Sequence, residues 1–339
     1  MKKFLFRFLA VLLGIGAPVM AAEVFLRLDP RLGYRYCSYN FENKDSPMAK
    51  VFNKDEWGDN FRPSALLGYE HVPGSRHFNR YGLRGKEYKL KKDENVFRIL
   101  ILGDSLAEQG WSCEKLESLL NDNLGSPRTS RKFEVWNSGV GGYDVRQYYL
   151  YFRHRGVKFD PDMVIIFIFM NDFYVNTSIY YKDKRGMIEY YFPVSHLSSF
   201  YRPSPFLMKY SYLYRFIALR LDAYFYNKDQ SPDDVGEHYL GMIKEACRDK
   251  NIPLYIVIFP YLKPFSEYDD NQIREYASIN KVTEAMGIDR LNLFPLLSKY
   301  DLYRMRDSEE DEIHPNKESH QVIAGMIFQD LMKKELIVR

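Results

Sequence analysis

The sequence predicts an α/β protein in three layers, with a parallel sheet of about five strands covered by helices on both faces. Apolar strand-like runs near 97–102, 133–137, 163–169, 253–259 and 288–293 alternate with helical patterns near 112–123, 144–155, 235–250, 271–286 and 315–334. Such alternation marks crossover-connected parallel strands. The first run, Phe97-Arg98-Ile99-Leu100-Ile101-Leu102, passes directly into Gly103-Asp104-Ser105 and then a helical pattern. That puts a hydroxyl at the carboxyl end of a buried strand, where open α/β sheets place their chemistry. With 339 residues, 46% of them hydrophobic, the chain can bury one large core or two small ones.

The N-terminus carries Lys2, Lys3 and Arg7 ahead of an uncharged apolar run from Phe8 to Ala22. This is the form of an export segment: residues 1–22 are expected to be a signal peptide or a signal anchor. Val19 and Ala21 suit a cleavage site, whereas Phe4 to Ala22 approaches a transmembrane span if Arg7 snorkels to the interface. The helical pattern continues through Glu23-Val24-Phe25-Leu26-Arg27-Leu28 before Pro30, without a polar break, which favours the anchor. Positive charges ahead of the segment then place the rest of the chain outside the membrane. Residues 23–95 read as an N-terminal extension of strands and turns, punctuated by Gly-Tyr, Pro-Gly and Tyr-Gly signals.

Each later apolar run ends in residues that carry chemistry. Gly103 lets the chain leave the sheet abruptly, and Ser105 is expected at or near a helix N-terminus; taken alone, the serine would equally serve as a helix cap. Phe133-Glu134-Val135-Trp136-Asn137 leads into Ser138-Gly139-Val140-Gly141-Gly142-Tyr143, and Met163 to Met170 leads into Asn171-Asp172. Exposed backbone N–H groups and an asparagine NH₂ are donor types that build oxyanion holes, although glycines also punctuate turns and Asn-Asp also caps helices. Near the C-terminus, Asp311-Glu312-Ile313-His314 precedes Pro315, so His314 belongs on the loop before the last helix. A carboxylate three residues earlier can reach its Nδ1–H and leave Nε2 as a base. The competing reading of Ser308 to Glu312 is a solvated acidic turn.

In this order, the Gly-Asp-Ser, Asn-Ser-Gly-Val-Gly-Gly, Asn-Asp and Asp-x-x-His blocks resemble the SGNH family of GDSL-type esterases and acyltransferases, over about residues 96–335. The resemblance implies a flavodoxin-like three-layer α/β/α SGNH hydrolase fold with strand order 2-1-3-4-5. It makes Ser105 the nucleophile, His314 the general base and Asp311 its orienter. Ser105 N–H, Gly142 and Asn171 would form the oxyanion hole. Gly142 is favoured over Gly141 because it lies five residues after Asn137. Two departures stand out: Phe169 occupies the glycine position of the family's Gly-x-Asn-Asp block, and Ser319 replaces a glycine that often follows Asp-x-x-His-Pro-Asn. His320 lacks the Asp-x-x-His spacing and reads as structural. Residues 67–85 are similar to the segment preceding the catalytic strand in membrane-anchored bacterial members.

The hydrolase domain is thus expected over 96–339, interrupted by an aromatic-rich insertion at 173–232 placed to overhang the site. The implied activity is an extracytoplasmic serine esterase on O-acyl, chiefly O-acetyl, esters of a cell-surface or exported polysaccharide. The implied location is a bacterial inner membrane with the domain on its outer side, or a secreted form. An O-acyltransferase using the same residues, a lipid esterase and a non-catalytic binding protein are the alternatives. No cofactor or metal is called for: Cys37, Cys113 and Cys247 lack ligand spacing, and neither Gly-x-Gly-x-x-Gly nor a phosphate loop is present. A net charge of +3 from 48 basic and 45 acidic dispersed residues gives no basic stripe for nucleic acid.

Overall fold

The computed structural model describes residues 2–28, 60–64, 67–125, 131–174, 207, 211–214, 216–217 and 231–337, without the side chains of 2–13, 15, 62 and 63. The chain divides into two compact units, one made of Met1–Glu70 and Thr177–Asp229, the other of His71–Asn176 and Gln230–Arg339. Most of the insertion, including the aromatics from Tyr180 to Tyr201 and from Tyr224 to Tyr226, lies outside the described residues, as does Cys37.

In the first unit, helix α1 (Lys2–Leu28) runs through Pro18 to the point the sequence pattern indicates. Its Glu23 carboxylate accepts Ser211 Oγ–H at 2.9 Å and the N–H groups of Tyr212 and Leu213 at 2.9 and 2.8 Å. An acid there satisfies amides that open the helical turn at Tyr212. Arg27 pairs with Glu23 and lies over the Tyr212 ring at 5.1 Å. Among the described residues, no helix is long and apolar enough to cross a membrane. Strands β1 (Phe61–Ser64) and β2 (Gly68–His71) form a two-stranded sheet.

The second unit is built on a five-stranded sheet of β3 (Val96–Leu102), β4 (Lys132–Asn137), β5 (Met163–Ile168), β6 (Leu254–Ile258) and β7 (Asp289–Asn292). Its order is β4-β3-β5-β6-β7 and every pairing is parallel, which is the order 2-1-3-4-5 counted from the catalytic strand. The strands read as unbroken apolar runs because both faces are covered: Ile99 to Leu102, Met163 to Ile168 and Tyr255 to Ile258 are all buried. Helices α3 (Trp111–Leu124) and α8 (Lys317–Lys333) pack together. A second group comprises α4 (Val145–His154), α5 (Pro232–Arg248) and α6 (Asp270–Ala285), and the single turn α7 (Phe294–Leu297) follows β7. The sheet thus lies between two helical layers, and the loops after β3, β4 and β5 leave at one edge.

Within β3 one position departs from the apolar pattern. Arg98 is fully buried in β3, with its Nε on Glu134 at 3.0 Å and its guanidinium on the carbonyls of Leu90, Phe159 and Lys89 at 3.0, 2.5 and 2.9 Å. It lies 4.0 Å over the Trp136 ring, whose Nε1–H also donates to Glu134. The charge is tolerated because its donors find acceptors.

Candidate active site

Helix α2 (Ser105–Glu108) is a single turn, broken from α3 by Gly110 at φ +85°. Its cap is Asp104, whose carboxylate accepts Leu106 N–H at 3.0 Å. The capping role that the sequence left open for Ser105 therefore falls to its neighbour, and the Ser105 hydroxyl is available for other work. With one turn behind it, the helix offers Ser105 no more than the amides of that turn. Gly103 also differs from expectation, because it does not adopt a left-handed conformation. Its reason is close packing: a Cβ there would lie 2.7 Å from Ala107 Cβ and 3.2 Å from Phe167 Cβ.

The glycine loop after β4 lies directly against this turn. A Cβ on Gly139 would meet Ala107 Cβ at 2.5 Å and Glu108 N at 2.6 Å. Asn137 clamps the two, its Nδ2 donating to Ala107 O at 2.5 Å and its Oδ1 accepting Gly139 N–H at 2.9 Å. Val140 N–H donates to Gly103 O at 3.1 Å, and Gly142 takes φ +76° where the loop turns towards α4. The segment before β3 joins this support, since Arg84 N–H donates to Asn137 O at 3.0 Å.

The loop before α8 brings the other two groups. Its helix begins at Lys317, two residues later than the proline signal suggests, because Asn316 is the cap and accepts Ser319 N–H at 2.9 Å. Asn316 Nδ2 also donates to Arg304 O and Arg306 O, and Asp307 N–H donates to His314 O at 2.9 Å. On the other side, Glu312 O accepts Leu262 N–H at 2.7 Å and its carboxylate pairs with Lys263. Of the acidic run, Ser308, Glu309 and Glu310 are exposed, whereas Asp311 is bonded inward. Its Oδ1 accepts the N–H groups of Ile313 and His314 at 3.0 and 2.9 Å, and Oδ2 faces His314 Nδ1 at 2.8 Å. His314 Nε2 stands 2.8 Å from Ser105 Oγ.

A carboxylate on Nδ1 fixes the proton there and leaves Nε2 to accept the serine O–H. Burial disfavours the imidazolium, yet the hydrogen bond and charge of Asp311, with Asp104 and Asp307 beyond, hold the His314 pKa above its ordinary value. For Asp311, burial works against ionisation but is outweighed by His314 and the two backbone N–H groups, so its carboxyl titrates low. Burial pushes Asp104 up to about 6, against the opposing pull of Leu106 N–H and His314.

Asn171 is exposed in the turn after β5. The turn is held by Asp172, which the sequence pattern marks only as a helix cap. Its carboxylate accepts Phe169 N–H and Tyr148 O–H, each at 2.8 Å, while its own N–H donates to Phe169 O at 3.1 Å. Phe169, at the family's glycine position, is buried and meets Tyr261 edge to face at 4.9 Å. His320 is the structural histidine expected: it is buried, with Nδ1 on Ser112 Oγ at 2.6 Å and Nε2 on Gln109 Oε1 at 2.5 Å, and burial pushes its pKa down to about 3.

The pattern of the GDSL-like lipase/acylhydrolase family matches residues 101–322, a span from inside β3 into α8. The chain belongs to that family. It is a carboxylic ester hydrolase on the SGNH fold. Solved structures similar to it include an α/β hydrolase, LAE5, from the metagenome of Lake Arreo, at 18% identity and TM-score 0.43, covering 69% of this chain and 94% of that one. Another is the acetyl xylan esterase AlAXEase, at 16% and 0.44, covering 69% and 98%. A third is a lipase/acylhydrolase from Enterococcus faecalis, at 13% and 0.43, covering 70% and 96%. No curated protein matches the chain.

Proposed function

We propose that this family member is an exported esterase that removes O-acyl groups, chiefly O-acetyl, from a cell-surface or exported polysaccharide through a Ser105 acyl-enzyme. The observation that carries the chemistry is the continuous hydrogen-bonded line from Asp311 through His314 to Ser105 Oγ. Ser105 Oγ attacks the ester carbonyl while His314 Nε2 takes its proton; the oxyanion is received by Ser105 N–H, Gly142 N–H and Asn171. His314 then returns the proton to the departing sugar oxygen, the acyl group stays on Ser105, and water deprotonated by His314 releases it as the carboxylic acid. The export reading rests on Lys2, Lys3 and Arg7 ahead of the run from Phe8 to Ala22, and the preference for a glycan over a lipid rests on that export reading and on the aromatic-rich insertion.

A fluorophosphonate probe tests the first step: wild type should label and Ser105→Ala should not. Acetate release from an acetylated polysaccharide, run beside a long-chain lipid ester, tests the substrate; preference for the lipid ester would overturn the glycan reading. If a sugar hydroxyl outcompetes water as acceptor, the protein is an acyltransferase. A C-terminal reporter active only outside the cytoplasm tests export, and membrane fractionation separates a retained leader from a cleaved one.

A further inference from the structure

One buried carboxyl behind the glycine loop has no place among the groups assigned above. Glu108 closes α2, three residues after Ser105, and is 1% exposed. Its Oε2 accepts the Gly141 N–H, and a Cβ on Gly141 would lie 2.9 Å from that oxygen and 3.8 Å from Ser105 Cβ. Gly141 therefore lies against both the carboxyl and the serine side chain. We propose that Glu108 is a positioning residue for the oxyanion hole: by accepting Gly141 N–H it holds the Val140–Gly141 peptide, and through Gly141 it sets the orientation of the next peptide, whose Gly142 N–H is presented to the oxygen of the ester attacked by Ser105. The proposal rests on the reading of Gly142 as an oxyanion donor.

The surroundings of Glu108 argue for an acceptor role over a packing role. Its second oxygen, Oε1, makes no hydrogen bond among the described residues and stands 3.7 Å from His71 Nε2. That nitrogen is also 3.3 Å from Gly139 O, and the His71 ring stacks on Phe78 at 3.6 Å. An apolar side chain of similar volume would occupy this place without the desolvation penalty of an acid, so the acid contributes through the bond it makes to the loop. Burial pushes its carboxyl up to about 8, with Gly141 N–H and Arg84 pulling the other way and Asp104 adding to the rise. Burial thus favours the neutral acid, whose carbonyl oxygen can still accept Gly141 N–H. An amide is the isostere of that state.

The test compares Glu108→Gln, Glu108→Met and Glu108→Asp in the full chain, reading kcat and KM on p-nitrophenyl acetate and the affinity for a phenylboronic acid, which forms a tetrahedral anion on the serine. Glu108→Gln should stay within about threefold of wild type. Glu108→Met should lower kcat by roughly 10- to 100-fold, less than removal of a donor outright, with KM within about twofold and boronate affinity falling by the same factor as kcat. Should Glu108→Met fail to fold, Glu108→Asp, which keeps the acid but withdraws the acceptor by one methylene, should show the same parallel loss. A folded Glu108→Met or Glu108→Asp with wild-type kcat would overturn the proposal. So would a Glu108→Gln as slow as Glu108→Met, or a kcat loss without loss of boronate affinity. Failure of the esterase reading would show separately, as wild-type protein that neither hydrolyses the ester nor labels with fluorophosphonate.

Discussion

Asp311→Asn removes one formal charge from the hydrogen-bonded line while leaving its shape. The asparagine carbonyl can keep the bonds to Ile313 and His314 N–H at 3.0 and 2.9 Å, so the turn before α8 should hold. What changes is the contact of 2.8 Å to His314 Nδ1, where an NH₂ donor would now face an N–H donor. The imidazole relieves the conflict by moving its proton to Nε2, towards Ser105 Oγ, and in that tautomer it cannot accept the serine proton. Losing a charge-assisted bond accounts for about 1.5–3 kcal/mol. The tautomer cost brings the total to about 4–5.5 kcal/mol, a fall in kcat on the order of 10³–10⁴. The pH profile should move as well. In wild type His314 must be neutral to act, so kcat rises with pH through its elevated pKa and is flat above it. In the variant the elevating hydrogen bond and charge are gone and burial remains, so the limb moves towards acid. Initial rates on p-nitrophenyl acetate from pH 5 to 9, with a circular dichroism melt to verify folding, measure both. A folded variant within tenfold of wild type, or one with an unmoved acid limb, would refute the role given to Asp311.

Asn171→Ala should lower kcat by about 10²–10³ on the same ester with KM little changed; a change confined to KM would make Asn171 a substrate-positioning group. Arg98→Met strands Glu134 on the single Trp136 Nε1–H and leaves the carbonyls of Lys89, Leu90 and Phe159 short of donors. The expected cost is about 3–5 kcal/mol, or roughly 10 °C in Tm by calorimetry, and an unchanged Tm would show that the cluster is not the anchor of the strand. Gly236→Ala places a Cβ 2.4–2.7 Å from ring carbons of the buried Phe173, two residues after Asn171. It should destabilise by about 1–3 kcal/mol and slow ester hydrolysis; a variant with wild-type Tm and rate would show that the ring yields.

The sheet was legible because its signal is local: Leu100 to Leu102, Met163 to Ile168 and Tyr255 to Ile258 are apolar at successive positions, as strands buried on both faces must be. The residues that meet at Ser105 were legible because Ser105 follows a strand directly and Asp311 and His314 share one short block ahead of a helix. Residues whose environment is assembled from afar were hidden. Arg98 looks like an interruption in an apolar run, since its partners at 89, 90, 134 and 159 cannot be guessed from its neighbours. Glu108 carries no pattern either: Glu on a helical turn is ordinarily solvated, and only the approach of Gly141 and His71 gives it a task. Asp104 and Ser105 show a third limit, in which adjacent residues compete for one cap and the sequence does not say which prevails.

The Ser105–His314 contact joins positions 209 apart, and Ser112–His320 fastens α8 to α3 across 208. Between them the chain must lay down β4, β5, β6 and β7. The nucleophile thus leaves the ribosome well before its base, so hydrolytic competence waits until the intervening strands have been made. A nascent chain, or one cut short before His314, would carry its serine without the partner that arms it.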